Sequence, residues 1–369
     1  MISDKVTNLA GVYVHFPYCK SKCAYCAFVS SPDCTTQEAY LSALKREISL
    51  RGEKVPVDTI YFGGGTPSVM PSGFLSEVYY EIKKAFTVDR LTEFTVECNP
   101  DSVTESFLSE CKSIGVTRLS LGLQSANDEV LKNIGRVHSV EKFISAIKLI
   151  KENTDCRVSS DLIIGLPGEK EDDALKAIDL FCDLGIEHLS LYSLSVEEGT
   201  PLFESGYRPN DDEQADEYEK AVLYLKEKGY DRYEVSNFAK NGKVALHNCK
   251  YWTGADYYGF GVSAHSLVNG VRYENESDID KYLTGATLKS KTELTLLDKV
   301  EELVMLSLRT EDGLSLSKYE TLSGKSILTE KKKEIEKLLS FGLIEISEDK
   351  LKVTDKGIYL LNSVTSELI

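Results

Sequence analysis

Apolar and polar positions alternate in a regular order along residues 11–205. Six short apolar runs predict strands, namely Val12–Phe16, Asp58–Phe62, Glu93–Glu97, Thr117–Leu121, Arg157–Leu162 and His188–Tyr192. The stretches between them carry apolar residues at helical spacing, in Gln37–Arg51, Pro71–Phe86, Val103–Ile114, Val140–Asn153 and Glu171–Leu184. Six β–α units with connections of this length predict an α/β fold whose parallel sheet is open or partly closed into a barrel.

Beyond residue 205 the pattern changes. The segments there predict a helix at Asp212–Lys228, one strand at Tyr233–Ala239, and an aromatic, Gly-rich stretch at 257–275 that is suited to lining a pocket. From residue 297 we predict helices and a hairpin that resemble a winged-helix module, at Asp298–Arg309, Leu314–Leu322, Thr329–Phe341, Leu343–Ile346, Lys350–Val353 and from Thr354 onward. The predicted divisions are therefore a barrel at 1–205, a connecting region at 206–296 and a C-terminal domain at 297–369.

The charge and composition of the chain narrow the classes of partner. A net charge of −16 and a pI near 4.9 leave no excess of Lys or Arg to neutralise phosphates, and residues 298–369 hold 11 basic against 14 acidic residues. No apolar run approaches the ~18 residues of a membrane span. The first residues, MISDKVTNLAG, have neither a basic n-region nor an apolar h-region. We expect a cytoplasmic protein without a nucleic-acid partner or a transmembrane segment.

Three of the nine cysteines lie together after the first predicted strand, as Cys19, Cys23 and Cys26 with C-x3-C-x2-C spacing. Three thiolates are one ligand short of a closed zinc site, which needs four. They suit a four-iron cluster in which one iron is left open. Two alternatives remain at this stage: a chance grouping in a core or a disulfide, and a zinc site completed by a distant His.

Unusual residues follow the other predicted strands, at the end where parallel βα folds build their sites. The glycines at 63–65 suit either a tight turn or close approach of a ligand to the backbone, and they lack the P-loop pattern. Glu97 and Asp161 lie in otherwise apolar strands, where a carboxylate is a helix cap, a satisfied partner or an acceptor for ribose hydroxyls. Gln124 and Arg136 would add an amide and a cation at the same rim, although Arg136 also fits a plain surface charge.

The segment HNCKYW, residues 247–252, contains the only tryptophan of the chain. The usual role of a single histidine such as His247 is structural, with its ring bonded to the backbone. A loop after the barrel strands would instead place it near the mouth of the barrel.

A set of motifs in order along the chain resembles the radical S-adenosylmethionine (SAM) superfamily, and among it the relatives of oxygen-independent coproporphyrinogen III oxidase, above all the HemW heme chaperones. These motifs are YVHFPYCKSKCAYCAF, YFGGGTPS, TVECNP, RLSLGLQS, GRVHS, DLIIGLPGE, HLSLYSLSVEEGTPL and HNCKYW. The resemblance implies a partial (β/α)6 barrel, with Cys19, Cys23 and Cys26 as ligands of a [4Fe-4S] cluster whose open iron binds SAM. It implies SAM contacts from Tyr13, Tyr25, Gly64, Gly65, Thr66, Glu97, Gln124, Arg136 and Asp161, and heme binding by His247 within an HNxxYW motif.

Two departures separate this chain from the oxidases. They carry a fourth cysteine two residues after the third, where this chain has Phe28, and a longer N-terminal segment, whereas 18 residues precede Cys19 here. The predicted function is therefore a heme carrier that hands heme to acceptor apoproteins, with membrane-associated ones among the candidates. The alternatives are a radical SAM oxidase that decarboxylates coproporphyrinogen III and, more distantly, a DNA-binding regulator.

Overall fold

The computed structural model describes residues 2 and 4–369, and its centre is a parallel sheet. Six strands pair in sequence order, each parallel to the next. They are β1 (Ala10–Phe16), β2 (Val57–Gly64), β3 (Glu93–Cys98), β4 (Arg118–Gln124), β5 (Arg157–Ile164) and β6 (His188–Ser193). Each predicted strand is present, and the predicted partial barrel is confirmed.

Helices follow the strands and cover the outside of the sheet. They are α1 (Gln37–Arg51), α2 (Phe74–Ala85), α3 (Glu105–Ile114), α4 (Asp128–Asn133), α5 (Val140–Asn153) and α6 (Asp173–Asp183). Capping sets their starts: the Thr104 hydroxyl accepts a hydrogen bond from the backbone N–H of Phe107, so α3 begins two residues later than predicted. The main apolar core lies between these helices and the outer face of the strands.

The region between the barrel and the C-terminal domain extends the same sheet at both edges. It contains α7 (Pro201–Glu204), α8 (Asp211–Glu227), β7 (Asp231–Glu234), β8 (Asn237–Ala239), α9 (Leu246–Thr253), β9 (Tyr257–Phe260), β10 (His265–Val268), β11 (Val271–Asn275), α10 (Ile279–Leu283) and β12 (Leu288–Glu293). Strand β9 runs parallel to β1, and β8 runs antiparallel to β6. The resulting order is β12-β11-β10-β9-β1-β2-β3-β4-β5-β6-β8-β7.

Two predictions for this region are wrong. The single strand expected at 233–239 is the antiparallel hairpin of β7 and β8, because the chain reverses at Val235 and Ser236. The Gly-rich stretch at 257–275 forms the neighbouring strands β9 to β11 and does not line the cavity at the barrel mouth described below. Its alternating Tyr, Phe and Val residues pack in sheet layers instead.

The C-terminal domain is a helical module with a small sheet, as the winged-helix pattern predicted. Its elements are α11 (Leu296–Leu308), β13 (Leu314–Ser315), α12 (Leu316–Ser323), α13 (Ile327–Glu330), α14 (Lys332–Ser340), β14 (Ile344–Ser347), β15 (Lys350–Val353) and α15 (Leu361–Leu368). These elements enclose an apolar core of their own. Across residues 2 and 4–369, every helix is too short or too polar to span a bilayer.

Candidate functional site

The loop between β1 and α1 carries the three clustered cysteines, and backbone hydrogen bonds fix it to the barrel. The Thr66 amide, just after β2, donates to the Tyr18 carbonyl at 2.8 Å, and the Ala24 amide donates to the Ile134 carbonyl at 2.9 Å. His15 of β1 supports the same loop, since its Nε2 lies 2.8 Å from the Val29 carbonyl oxygen. The cysteines are therefore held on a loop that is anchored at several points.

The three thiols are free and half-buried, so they are available as metal ligands. Burial raises the pKa of the Cys19 and Cys26 thiols, which keeps them protonated until a metal takes the proton's place. Among the residues that the structure describes, no three Cys, His, Asp or Glu side chains are already gathered around one point as a metal site would need. The donor set fits a cluster with one thiolate for each of three irons.

A cavity of about 410 Å³ opens at the carboxyl ends of the strands, directly beside this loop. It brings together eleven of the thirteen residues that the family resemblance implied as contacts of the cluster, SAM or heme. They are Cys19, Cys23, Cys26, Tyr25, Gly64, Gly65, Thr66, Glu97, Gln124, Arg136 and Asp161. The other two, Tyr13 and His247, do not line it. The Tyr13 hydroxyl lies below the cavity, 3.1 Å from Nδ1 of His15.

The glycines at 64 and 65 are required by the protein's own packing. Gly64 has φ of +107°, and a Cβ there would lie 2.4 Å from the His15 ring. A Cβ at Gly65 would lie 2.7 Å from the Phe16 carbonyl oxygen, against the start of the cysteine loop. The glycines therefore let β2 approach this loop closely.

Glu97 is the most constrained polar group in the cavity. One carboxylate oxygen accepts the Tyr61 hydroxyl at 2.6 Å, and the other accepts the Gly64 amide at 3.0 Å. Burial raises the pKa of Glu97 to about 7, with the nearby Asp161 adding to the shift. Burial also raises the pKa of Asp161. Each oxygen of Glu97 keeps a free lone pair, so it can still accept a hydroxyl from a ligand.

Arg136 lies inside the site, so the plain surface charge considered for it is excluded. Its guanidinium donates to the Gly122 carbonyl at 2.6 Å, to Oδ1 of Asn99 at 3.1 Å and to the Cys23 sulfur at 3.6 Å. Two buried polar atoms beside the cavity, Oε1 of Gln124 and Nε of Arg136, have no hydrogen-bond partner among the described residues. Buried polar groups are normally satisfied. This pair indicates that a polar ligand completes the site.

Sequence reasoning missed three residues that organise the cavity: His15, Tyr61 and Asn99. Asn99 joins two site residues, because its Nδ2 donates to the Thr66 hydroxyl at 3.1 Å and its Oδ1 accepts from Arg136. Its position at the end of β3, in the segment ECNP, was a usable signal. His15 and Tyr61 lie within apolar strands, where nothing in the pattern separates them from core residues.

His247 lies at the opposite end of the barrel, which corrects the expected loop near the mouth. It is on α9, fully buried, with Nδ1 3.0 Å from the Thr59 hydroxyl and Nε2 2.9 Å from the Tyr251 hydroxyl. The amides of Leu246 and His247 donate to the two oxygens of Glu93, the first residue of β3, each at 3.0 Å. This carboxylate fixes α9 because free amides and a positive dipole end occur at a helix start. The HNxxYW segment thus closes the floor of the barrel.

Comparison with known proteins agrees with this architecture. The radical SAM superfamily model matches residues 13–181, and the HemN C-terminal domain model matches residues 294–360. The heme chaperone HemW of Lactococcus lactis is 33% identical over 368 residues, covering 97% of this chain and 96% of that protein. HemW of Bacillus subtilis is 32% identical and covers 96% of this chain and 98% of its own. This chain belongs to the HemW family of the radical SAM superfamily.

The fold of this HemW-family protein also matches a solved structure over nearly its whole length. The coproporphyrinogen III oxidase HemN from Escherichia coli, described as a radical SAM enzyme, has a TM-score of 0.86 and covers 98% of this chain and 90% of its own. The two sequences are 22% identical, so the match shows a shared fold. The radical SAM match spans the cysteine loop, Gly64–Thr66, Glu97, Gln124, Arg136 and Asp161. Membership of this superfamily implies a [4Fe-4S] cluster and SAM.

Proposed function

We propose that this HemW-family protein is a heme chaperone, which binds heme and transfers it to acceptor apoproteins. The observation that carries the proposal is the similarity to HemW proteins along almost the entire chain, including the C-terminal domain. The expected acceptors are heme-requiring apoproteins, with membrane-associated ones among them.

The cysteine loop would hold the cluster through Cys19, Cys23 and Cys26, and the cluster would supply the open iron that binds SAM. Glu97 and Asp161 would accept the ribose hydroxyls, while Arg136 and Gln124 would orient the charged end of the ligand. The cavity supports these roles, because its carboxylates lie at the inner end and its guanidinium lies beside the thiols. Tyr13 would act from below, through its contact with His15.

Axial ligation of heme by His247 stays a prediction. In this structure it would require a movement of α9. Both ring nitrogens are engaged and the side chain is fully buried, so a heme iron can reach the imidazole only if α9 leaves the barrel floor. Burial lowers the pKa of His247 to about 3, so the imidazole is neutral, as ligation needs.

Heme uptake tests the proposed function directly. The full chain, reconstituted anaerobically with iron and sulfide, should take up heme stoichiometrically and develop a Soret band. When the heme-loaded protein is mixed with a heme-free apoprotein, the Soret band should shift to the position of the acceptor's heme complex. This shift should be faster than the binding of free heme to the same apoprotein. Absence of heme uptake by cluster-loaded protein would contradict the proposal.

A further inference from the structure

A second cavity lies where the open edge of the barrel meets the C-terminal domain, and we call it the junction cavity. It has a volume of about 680 Å³, within the range of small-molecule and cofactor sites. Tyr192, Tyr218, Tyr359 and Leu360 form much of its wall, together with Val235 and Arg309. Tyr192 and Tyr359 are each 41% exposed, so large apolar faces stand uncovered there.

The junction cavity adjoins the cavity at the barrel mouth, because the two share lining residues. Tyr192 and Ser193 at the end of β6, together with Ser195 just beyond it, line both. A ligand in the junction cavity would therefore lie next to the site assigned to the cluster and SAM.

Arg309, which lines the junction cavity, belongs to a group of buried polar atoms behind that wall that lack partners. Nε of Arg309, Nε1 of Trp252, one carboxylate oxygen of Glu234 and Oδ1 of Asn237 are buried and lack hydrogen-bond partners among the described residues. They belong to one neighbourhood, because the Arg309 guanidinium lies 5.2 Å from the centre of the Trp252 ring and the Arg309 carbonyl accepts the Val235 amide at 3.0 Å. So many unsatisfied groups in one place indicate a missing polar partner.

Charge at this wall favours an anionic partner for Arg309. The nearby acidic group is Glu234, one oxygen of which accepts a hydrogen bond from the side-chain amide of Asn237. Burial raises the pKa of Glu234 although the Asn237 hydrogen bond and the Arg309 charge act to lower it, so Glu234 neutralises the guanidinium only in part. Asp211, the acidic residue that lines the cavity itself, lies exposed on α8. A guanidinium with an unused N–H is suited to a carboxylate.

We propose that the junction cavity binds the porphyrin, with its ring against the tyrosines and a propionate on Arg309. The proposal rests on the proposed heme-carrier function and assigns a place to the ligand. In this assignment Trp252 of the HNxxYW segment positions the guanidinium of Arg309 by packing against it. The contact lies on the side of α9 that faces the C-terminal domain. The axial ligand of the iron is a separate question, which variants of His247 address.

Two variants of the full, cluster-loaded protein test this assignment. Ala215→Trp fills the junction cavity from the exposed face of α8, and Arg309→Met removes the charge while keeping a side chain over Trp252. Ser145→Trp, on the exposed face of α5, is the matched control. Each protein is titrated anaerobically with heme and with iron octaethylporphyrin, which lacks carboxylates, while the Soret band is followed.

Ala215→Trp should weaken the binding of both porphyrins. Arg309→Met should weaken heme binding by about tenfold to a hundredfold, the effect of losing a hydrogen bond to a charged group, and leave the octaethyl compound unaffected. Ser145→Trp should bind both like the unmodified protein, and iron content and SAM affinity should be unchanged in all three. The assignment of the porphyrin to the junction cavity would be overturned if Ala215→Trp and Arg309→Met both bound heme as tightly as the unmodified protein. It would also be overturned if Ser145→Trp weakened heme binding as much as they do. Failure of the unmodified protein to bind either porphyrin would instead overturn the heme-carrier function.

Discussion

The Nδ1 atom of His247 lies 3.0 Å from the hydroxyl of Thr59, on the second strand of the barrel. The contact joins a residue of the HNxxYW segment to the interior of the SAM domain. The His247 ring also packs against Tyr61, with ring centres 5.4 Å apart, and the Tyr61 hydroxyl donates to Glu97 in the cavity at the mouth. The floor and the mouth of the barrel are therefore connected through one aromatic side chain.

The cluster prediction follows from the three free thiols. Anaerobic reconstitution should load about four irons per chain. Cys19→Ala, Cys23→Ala and Cys26→Ala should each abolish loading, because in the proposed cluster each thiolate would hold a different iron. Cys34→Ala is the matched control, since Cys34 is exposed and lies outside the cavity. Normal iron content in Cys23→Ala would reject the assignment.

The SAM prediction centres on Glu97, whose carboxylate faces the cavity. Glu97→Ala should weaken SAM binding by roughly ten- to a hundredfold, because a hydrogen bond to an ionised group is worth ~1.5–3 kcal/mol. With a pKa of about 7, Glu97 loses its proton across neutral pH, so SAM affinity should rise as the pH increases through 7. In Glu97→Gln this pH dependence should disappear. Calorimetric titration with SAM at several pH values measures both effects, and unchanged affinity in both variants would place the site elsewhere.

Gly64→Val would not test SAM binding alone. The added side chain would meet the His15 ring before it met a ligand, and a β-branched residue is strained at the positive φ of Gly64. We expect this variant to lose stability and cluster loading together with SAM affinity.

The strand order and the mouth of the site were predictable, because both depend on local pattern. Cys19, Gly64, Glu97 and Asp161 converge because each follows or ends a parallel strand, and parallel strands end at one edge. The floor was not predictable. His247 is far from Thr59 and Glu93 in sequence, and nothing in HNCKYW itself shows that a helix start would meet a carboxylate from β3.

We expect Phe28 to be one of the features that separate a carrier from an oxidase. It stands where the oxidases have a fourth cysteine, is 68% exposed and lines the cavity beside the cluster loop. We expect no conversion of coproporphyrinogen III by the cluster-loaded protein with SAM and a strong reductant under anaerobic conditions. Chromatography of the porphyrin products checks this, and formation of protoporphyrinogen IX would restore the oxidase function.

The buried histidines should make the protein sensitive to acid. Burial lowers the pKa of His247 to about 3 and that of His15 to about 4, from 6.5. Between each lowered pKa and 6.5, the histidine binds a proton in the unfolded chain but not in the folded chain. The two neutral histidines therefore do not reduce stability above about pH 6.5, and the free energy of unfolding falls as the pH drops below that value. Glu97 acts in the opposite sense, because its raised pKa lowers stability as the pH rises from 4.5 to about 7. Urea unfolding at about pH 5 and about pH 8 should show a smaller difference in His247→Gln than in the unmodified protein, and an equal difference would contradict this role of His247.

The prediction that His247 ligates heme can be separated from its structural role by two variants. His247→Ala removes the imidazole, whereas Thr59→Val removes one of its hydrogen-bond partners and leaves the imidazole in place. Both should lower the free energy of unfolding, the first more strongly because it also leaves a cavity and frees the Tyr251 hydroxyl.

If His247 is a ligand, Thr59→Val frees its Nδ1 atom from a hydrogen bond, so heme binding should be kept or strengthened. Folded His247→Ala should then lose or shift the Soret band. If it is structural alone, both variants should bind heme with an unshifted band for as long as they stay folded, and an unshifted band in folded His247→Ala would reject axial ligation by this residue.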